Sequence, residues 1–505
     1  MRIRRAASEQ NAVCLLCSNV VTPIYYFMSL SAQGKSTQKD KTPASVKKSS
    51  KNGSAGRQRT RSTLKRSTLG FEVEFFILDK NGQLVNEADL LLKKIEEKKR
   101  NPHSEIIAEC SKNMIEVGSY PSTETTSTVE ALVDNLKLLL YTADEQDLLI
   151  CPLATYPGKG PVKIRSNVAK YRAEEILFGQ KRYKMAGSCV GFHFHHALPW
   201  GVFDQKRLTL KKLINSKNKQ SLVNAYNFLI AADPAITTFM QSSPFFRGRQ
   251  LAKDCRLLIW RGGEALNYPD SLYANLPKYG ALPGYEHTET DIINSINSRY
   301  EEWLKILQDG GVKESELPKY HSVLDTNWTP IRINAHGTIE QRGMDMNHLL
   351  PLSSVAIILS RVLRAIQEDY YKVFSSDVAV REPFKVDRKI IYIPPDTHVL
   401  QKLQYAAAYR GMDDDEVWYY CKRLVSLVKI LEGKKNLDWL LEPLERMIKD
   451  RKTVSDEIIA QAKKLGYENF KKPMPNEIAA QIAVEHSKRL FKEIVLVQKM
   501  IDENK

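Results

Sequence analysis

The chain has 505 residues, 43% hydrophobic and 27% charged, which excludes a disordered or collagen-like polypeptide and allows a large folded core. Its net charge of +16 is unevenly spread, because residues 1–68 hold fourteen Lys/Arg against only Glu9 and Asp40. That tail carries +12 and leaves +4 for the rest, so the folded part is nearly neutral and is no broad basic surface for nucleic acid.

The seven cysteines (14, 17, 110, 151, 189, 255, 421) are scattered and odd in number, which fits reduced thiols better than a disulfide framework. Cys14-x-x-Cys17 lacks a second pair or a nearby His, so no metal site is expected there. No run of 18 apolar residues occurs, and no transmembrane helix or membrane partner is expected. Residues 11–30 are mildly apolar after a basic start, but Ser18, Asn19, Thr22 and Pro23 interrupt them; Met28 is an alternative start. Residues 30–67 are rich in Ser, Lys, Thr, Gly and Arg. The composition predicts a basic, low-complexity, disordered tail over 1–67, capable of weak nucleic-acid contacts at most.

The first strand is predicted at 70–78. Its alternation puts Phe71, Val73, Phe75 and Ile77 on one face and Glu72 and Glu74 on the other. Two neighbouring carboxylates repel each other, and a divalent cation would offset the repulsion. A helix at 86–99 precedes two strand-like runs, 105–110 and 114–119, around Lys112-Asn113. A two-residue turn there would set Glu109 directly opposite Glu116. Helices follow at 126–146 and 166–179, with a strand at 148–154 between them.

The strand at 187–196 contains Gly191-Phe-His193-Phe-His195-His196, and alternation places His193 and His195 on one face. A helix at 218–231, a strand at 256–261 and a helix at 287–308 come next. The run 328–345 reads as two strands joined by a turn at Ala335-His336-Gly337, with Glu340 and Arg342 sharing a face. Arg offers a planar fork to phosphate oxygens, and Glu a hard oxygen ligand. A helix is predicted at 350–374. After Pro383 the chain reads as almost wholly helical (398–409, 413–432, 436–450, 453–465 and 475–503).

Strands that are polar on one face argue for an antiparallel sheet with helices packed on one side, an α+β fold. Five carboxylates with a His pair suit Mg²⁺ or Mn²⁺ better than structural zinc. The segment Pro157-Gly-Lys-Gly160-Pro is too short to be a P-loop, so a nucleotide would be held through metals and basic residues.

In this order the motifs resemble those of the glutamate–cysteine ligases, type 2 branch, within the glutamine-synthetase-like carboxylate–amine ligases. The resemblance rests on Gly70-Phe-Glu72-Val-Glu74-Phe, on Glu109 and Glu116, on Gly191-Phe-His193-Phe-His195, on Ser242-Ser243-Pro244-Phe-Phe-Arg247-Gly248 and on Gly337-Thr338-Ile-Glu340-Gln-Arg342-Gly-Met-Asp345. His196 departs from the small or apolar residue usual after the second His. The resemblance implies a curved antiparallel half-barrel with helices on its outer side. The resemblance spans about residues 69–375. The change from alternating strands and helices to helices alone sets the expected bounds of a catalytic domain at 68–380 and a helical C-terminal subdomain at 381–505. The resemblance further implies metal ligation by Glu72, Glu74, Glu109, Glu116, His193 and Glu340, and ATP contacts from Glu72, Glu74, His193, His195, Arg247 and Arg342. Arg342 and Arg332 would act on the transferred phosphoryl group.

The expected reaction joins the γ-carboxylate of glutamate to the amine of cysteine through an acyl phosphate, with ATP and Mg²⁺ (or Mn²⁺), in the cytoplasm. A ligase of the same fold with another acid or amine is the alternative. A non-catalytic nucleic-acid binder and a His193/His195 metal hydrolase are more distant ones. Homo-oligomerisation is left open.

Overall fold

The computed structural model describes residues 66–98, 105–211, 216–326, 328–432, 438–470 and 472–503. They belong to one compact unit spanning Leu64–Lys505. The tail expected over 1–67 lies outside the described residues apart from Arg66 and Ser67, as do Cys14, Cys17 and Asn327.

The centre is a seven-stranded sheet. Its strands are β1 (Leu69–Asp79), β2 (Ile106–Ala108), β3 (Met114–Gly118), β4 (Leu148–Cys151), β5 (Gly191–Ala197), β6 (Ile331–Asn334) and β7 (Thr338–Asp345). They run in the order β6-β7-β5-β1-β3-β2, with β4 pairing the far end of β1, and every pairing is antiparallel. The sheet is mixed with helices and is not closed into a barrel, which matches the α+β expectation.

The period-two reading of β1 holds. Phe71, Val73, Phe75 and Ile77 are all at most 2% exposed, and the Phe71 ring packs edge-on against Phe192 at 5.6 Å. Helices α1 (Thr125–Asp144), α3 (Lys217–Met240) and α5 (Leu349–Gln367) pack on the sheet. The last helix, α6 (Asn476–Glu503), packs on β4, α1 and α5. By length and composition α5 could cross a membrane, but 89% of its apolar window is buried inside the protein. Here the apolar run is the price of a core position.

Several expectations are corrected. Residues 256–261 form no strand; Cys255–Trp260 is a short helix, α4, whose Asp254 side chain accepts from the Leu257 N–H at 2.8 Å. A short apolar run cannot be assigned by periodicity alone, and the N-cap decides it. The helix at 218–231 continues to Met240, straight through Pro234. The helix at 350–374 stops at Gln367, and Lys372–Ser375 joins Val386–Asp387 and Ile390–Ile393 in a small separate sheet. The chain after Pro383 is therefore not purely helical.

The hairpin register also differs. Ile107, not Glu109, stands opposite Glu116, and β2 ends at Ala108. The connection is longer than two residues. The offset is an even number of residues, however, so Glu109 stays on the Glu116 side of the sheet.

Candidate active site

Strand register brings the polar residues onto one face. Glu72 pairs with His193, Glu74 with Glu116, Glu340 with His195, and Arg332 with Glu340. His193 lies in the middle: its Nδ1 is 3.2 Å from Glu72 Oε2 and 3.8 Å from Glu340 Oε1, and its Nε2 is 3.6 Å from Glu74 Oε1. His195 Nε2 is 3.3 Å from Glu72 Oε1, while its Nδ1 meets Thr338 Oγ1 at 3.0 Å. The Gly191 N–H donates to Glu74 Oε2 at 2.6 Å.

Glu340 is fully buried and anchored at one oxygen. Arg332 Nε and Asn334 Nδ2 each donate to its Oε2 at 2.6 Å. Asn334 was not singled out from the sequence, although its place two residues after Arg332 puts both on one face of β6. Arg342 Nε lies 3.6 Å from the other oxygen, Oε1.

The electrostatics divide the carboxylates in two. Burial pushes Glu340 up, but Arg332, His195 and Arg342 outweigh it and hold the carboxyl well below its usual range. Glu72 is likewise kept low against burial by His195 and His193. On the other side, burial and then Glu109 push Glu74 up to about 8, and burial and then Glu72 raise Glu116 well above an ordinary carboxyl. Crowded carboxylates with raised pKa values are stabilised in their charged form when a cation joins them.

Three sets of side chains bring ligand atoms within 4.8 Å of one another: Glu72, His195 and Glu340; Glu72, Glu116 and His193; Glu74, Glu109 and Glu116. His193 Nε2, His195 Nε2 and Glu340 Oε1 are buried with no hydrogen-bond partner. Oxygen-rich sets with such orphaned atoms fit a hard divalent cation. Glu72, Glu74, Glu109, Glu116, His193, His195, Arg332, Glu340 and Arg342 are thus all brought together. Arg247 is not: it is exposed, its guanidinium 4.9 Å from the Phe246 ring, in an open groove of about 510 Å³ with Lys159 and Lys184.

Beyond Glu74 and Arg342 lies a chamber of about 90 Å³. Its walls include Lys170, Glu174, Tyr183, Arg256, Trp260 and Trp328, none of them singled out from the sequence. The Ser-Ser-Pro motif explains how Arg256 arrives there. Ser243 Oγ donates to Asp345 Oδ2 at 2.6 Å and accepts from the Cys255 N–H at 2.9 Å, which ties the start of α4 to the end of β7. A Cβ on Gly191 would come within 2.2 Å of Arg256 Nη2, so the glycine leaves room for this guanidinium.

The open antiparallel sheet thus presents an acidic, His-bearing face with two arginines on its last hairpin. The pattern of glutamate-cysteine ligase family 2 matches residues 68–386, and the chain belongs to that family. No curated protein matches it in sequence. Among solved structures it resembles the glutamate–cysteine ligase of Francisella tularensis in complex with AMP. The TM-score is 0.53 at 14% identity, covering 86% of this chain and 92% of that one. It also resembles a bifunctional glutathione synthetase from Pasteurella multocida, with TM-score 0.51 and 14% identity over 84% of this chain. This chain spans about half, 53%, of that protein. At such identity the likeness is one of fold.

Proposed function

We propose that this ligase joins the γ-carboxylate of glutamate to the amine of cysteine, with ATP hydrolysed to ADP and phosphate. The observation that carries the reading is Glu340, pinned at Oε2 by Arg332 and Asn334 while Oε1 and the two imidazole Nε2 atoms have no partner. That arrangement supports metal ligation by Glu72, Glu74, Glu109, Glu116, His193 and Glu340. Bound Mg²⁺ or Mn²⁺ would neutralise phosphate oxygens as charge builds in phosphoryl transfer.

A free carboxylate is a poor electrophile because its oxygen is a poor leaving group. Moving the γ-phosphoryl of ATP onto it releases ADP and yields an acyl phosphate. The neutral amine then attacks the carbonyl carbon, phosphate leaves, and the nitrogen loses a proton. Arg342, beside Glu340 on the same strand face, is assigned to the phosphoryl oxygens, and Arg332 to holding Glu340 and balancing its charge. The pocket that Arg342 lines, walled in part by Trp260 and Trp328, would limit the water that reaches an acyl phosphate. The acidic face is read as the inner wall of a curved half-barrel. Catalysis is assigned to 68–380, with the tail accessory and the location cytoplasmic. Arg247 is assigned to the open groove, where it serves a nucleotide only if the nucleotide extends there.

Purified protein with Mg²⁺, ATP, glutamate and cysteine is expected to form γ-glutamylcysteine and ADP, and Glu340→Gln to abolish both. ADP release with other acids or amines, but none with this pair, would retain the ligase class and overturn these substrates.

A further inference from the structure

Glu174 sits on helix α2 (Ala169–Phe178), only 4% exposed, in the wall of the chamber. The Tyr183 hydroxyl donates to its Oε2. Its Oε1 is buried and has no hydrogen-bond partner. Lys170, one turn earlier on the same face, sets its ammonium 5.2 Å from the Trp328 ring centre. Glu174 belongs to none of the three candidate cation sets among the described residues. An unpartnered buried carboxylate oxygen is costly, so a donor brought by a ligand would relieve it.

The same chamber holds a complementary orphan. Arg256 is 6% exposed, its Nη2 donates to the Arg342 carbonyl at 3.2 Å, and its Nε is buried without a partner. Glu174 and Arg256 thus line one pocket of about 90 Å³ together with Glu74 and Arg342. A nucleotide is too large for it, whereas a carboxylate and a guanidinium in one wall match the two charges of a small zwitterion.

We propose that Glu174, held by Tyr183, binds the ammonium group of the amino acid whose side-chain carboxylate is activated, and so selects an α-amino acid over its des-amino counterpart. The inference rests on the ligase reading above for its substrate. An ammonium bound to a buried carboxylate keeps its proton and cannot attack a carbonyl, so the group held here is the amine that does not react. Arg256 is the matching partner for the α-carboxylate.

The test uses the full chain with Mg²⁺ and ATP, comparing ADP release on glutamate and on glutarate, which has the same carbon chain without the amino group. Wild type is expected to favour glutamate. Glu174→Gln is expected to raise KM for glutamate at least tenfold, leave KM for ATP unchanged and bring the two acids close to equal. Tyr183→Phe should shift the preference the same way by less, and it carries the test if Glu174→Gln does not fold. An unchanged glutamate-to-glutarate ratio in both variants, or a fall in kcat alone, overturns the proposal, as does a wild type that prefers glutarate. If wild type releases no ADP with either acid, the ligase reading of these substrates has failed separately. Calorimetric binding of glutamate and glutarate then decides, and equal glutamate affinity in wild type and Glu174→Gln overturns the role of Glu174.

Discussion

Arg332 and Glu340 stand opposite each other on adjacent strands, and the guanidinium Nε holds the carboxylate Oε2 at 2.6 Å. The other oxygen of Glu340 faces Arg342 and His193 without a hydrogen bond. A carboxylate fixed at one oxygen and free at the other is rigid enough to orient a ligand and still has a lone pair to offer it. The fixed half answers to stability, and the free half to activity.

Arg332→Met removes the charge that compensates a fully buried carboxylate. Breaking one half of such a pair costs about 3 kcal/mol or more. Urea unfolding should show a lowered midpoint, and adding Glu340→Gln should recover part of the loss, since no unpaired charge then remains. An unchanged midpoint in the single variant would mean the pair contributes nothing net.

Cation binding should depend on pH in a fixed direction. Glu74 titrates near 8 and Glu116 well above an ordinary carboxyl, so both hold protons that a cation must displace. Mn²⁺ affinity, followed by electron paramagnetic resonance, should therefore be weaker at pH 6 than at pH 8. Equal affinity at the two values would place the ion away from these carboxylates.

Gly191→Ala tests the space around Arg256. The added methyl would lie 2.2 Å from Arg256 Nη2, the far end of a flexible side chain that can swing aside. The fold should survive with a loss of about 1–2 kcal/mol, in the range of a modest overpacking. KM for the acid substrate should rise severalfold. Wild-type kinetics in this variant would separate Arg256 from substrate binding.

A second pH effect should arise far from the acidic face. His348 Nε2 and His486 Nδ1 meet at 2.8 Å where the start of α5 touches α6, and both rings are buried. Burial, then Arg489, lowers His486 to about 3, and His348 is also well below its usual value. The unfolded chain takes up protons below about 6.5 that the folded pair refuses, so stability present above that pH is lost as pH falls toward 3. Thermal midpoints should drop between pH 7 and 5, and His486→Asn should reduce the slope. A slope that the substitution leaves intact would assign the acid sensitivity to other groups.

Which residues share a face of a strand is a local property, because successive Cβ atoms alternate whatever the rest of the chain does. That is why Glu72 with Glu74, His193 with His195, and Glu340 with Arg342 were legible in the sequence, along with the α+β class and the turn before Gly337. Register is not local. It depends on how many residues the connection takes up, so Glu109 was expected opposite Glu116 but lies two positions beyond that strand pair. Short apolar runs are equally ambiguous, and the Asp254 cap, not the pattern, made 255–260 a helix. Glu174, Tyr183 and Arg256 come from helices and loops laid over the polar face. Nothing in their own neighbourhoods marks them, because a buried orphan atom exists only once distant segments have closed around it.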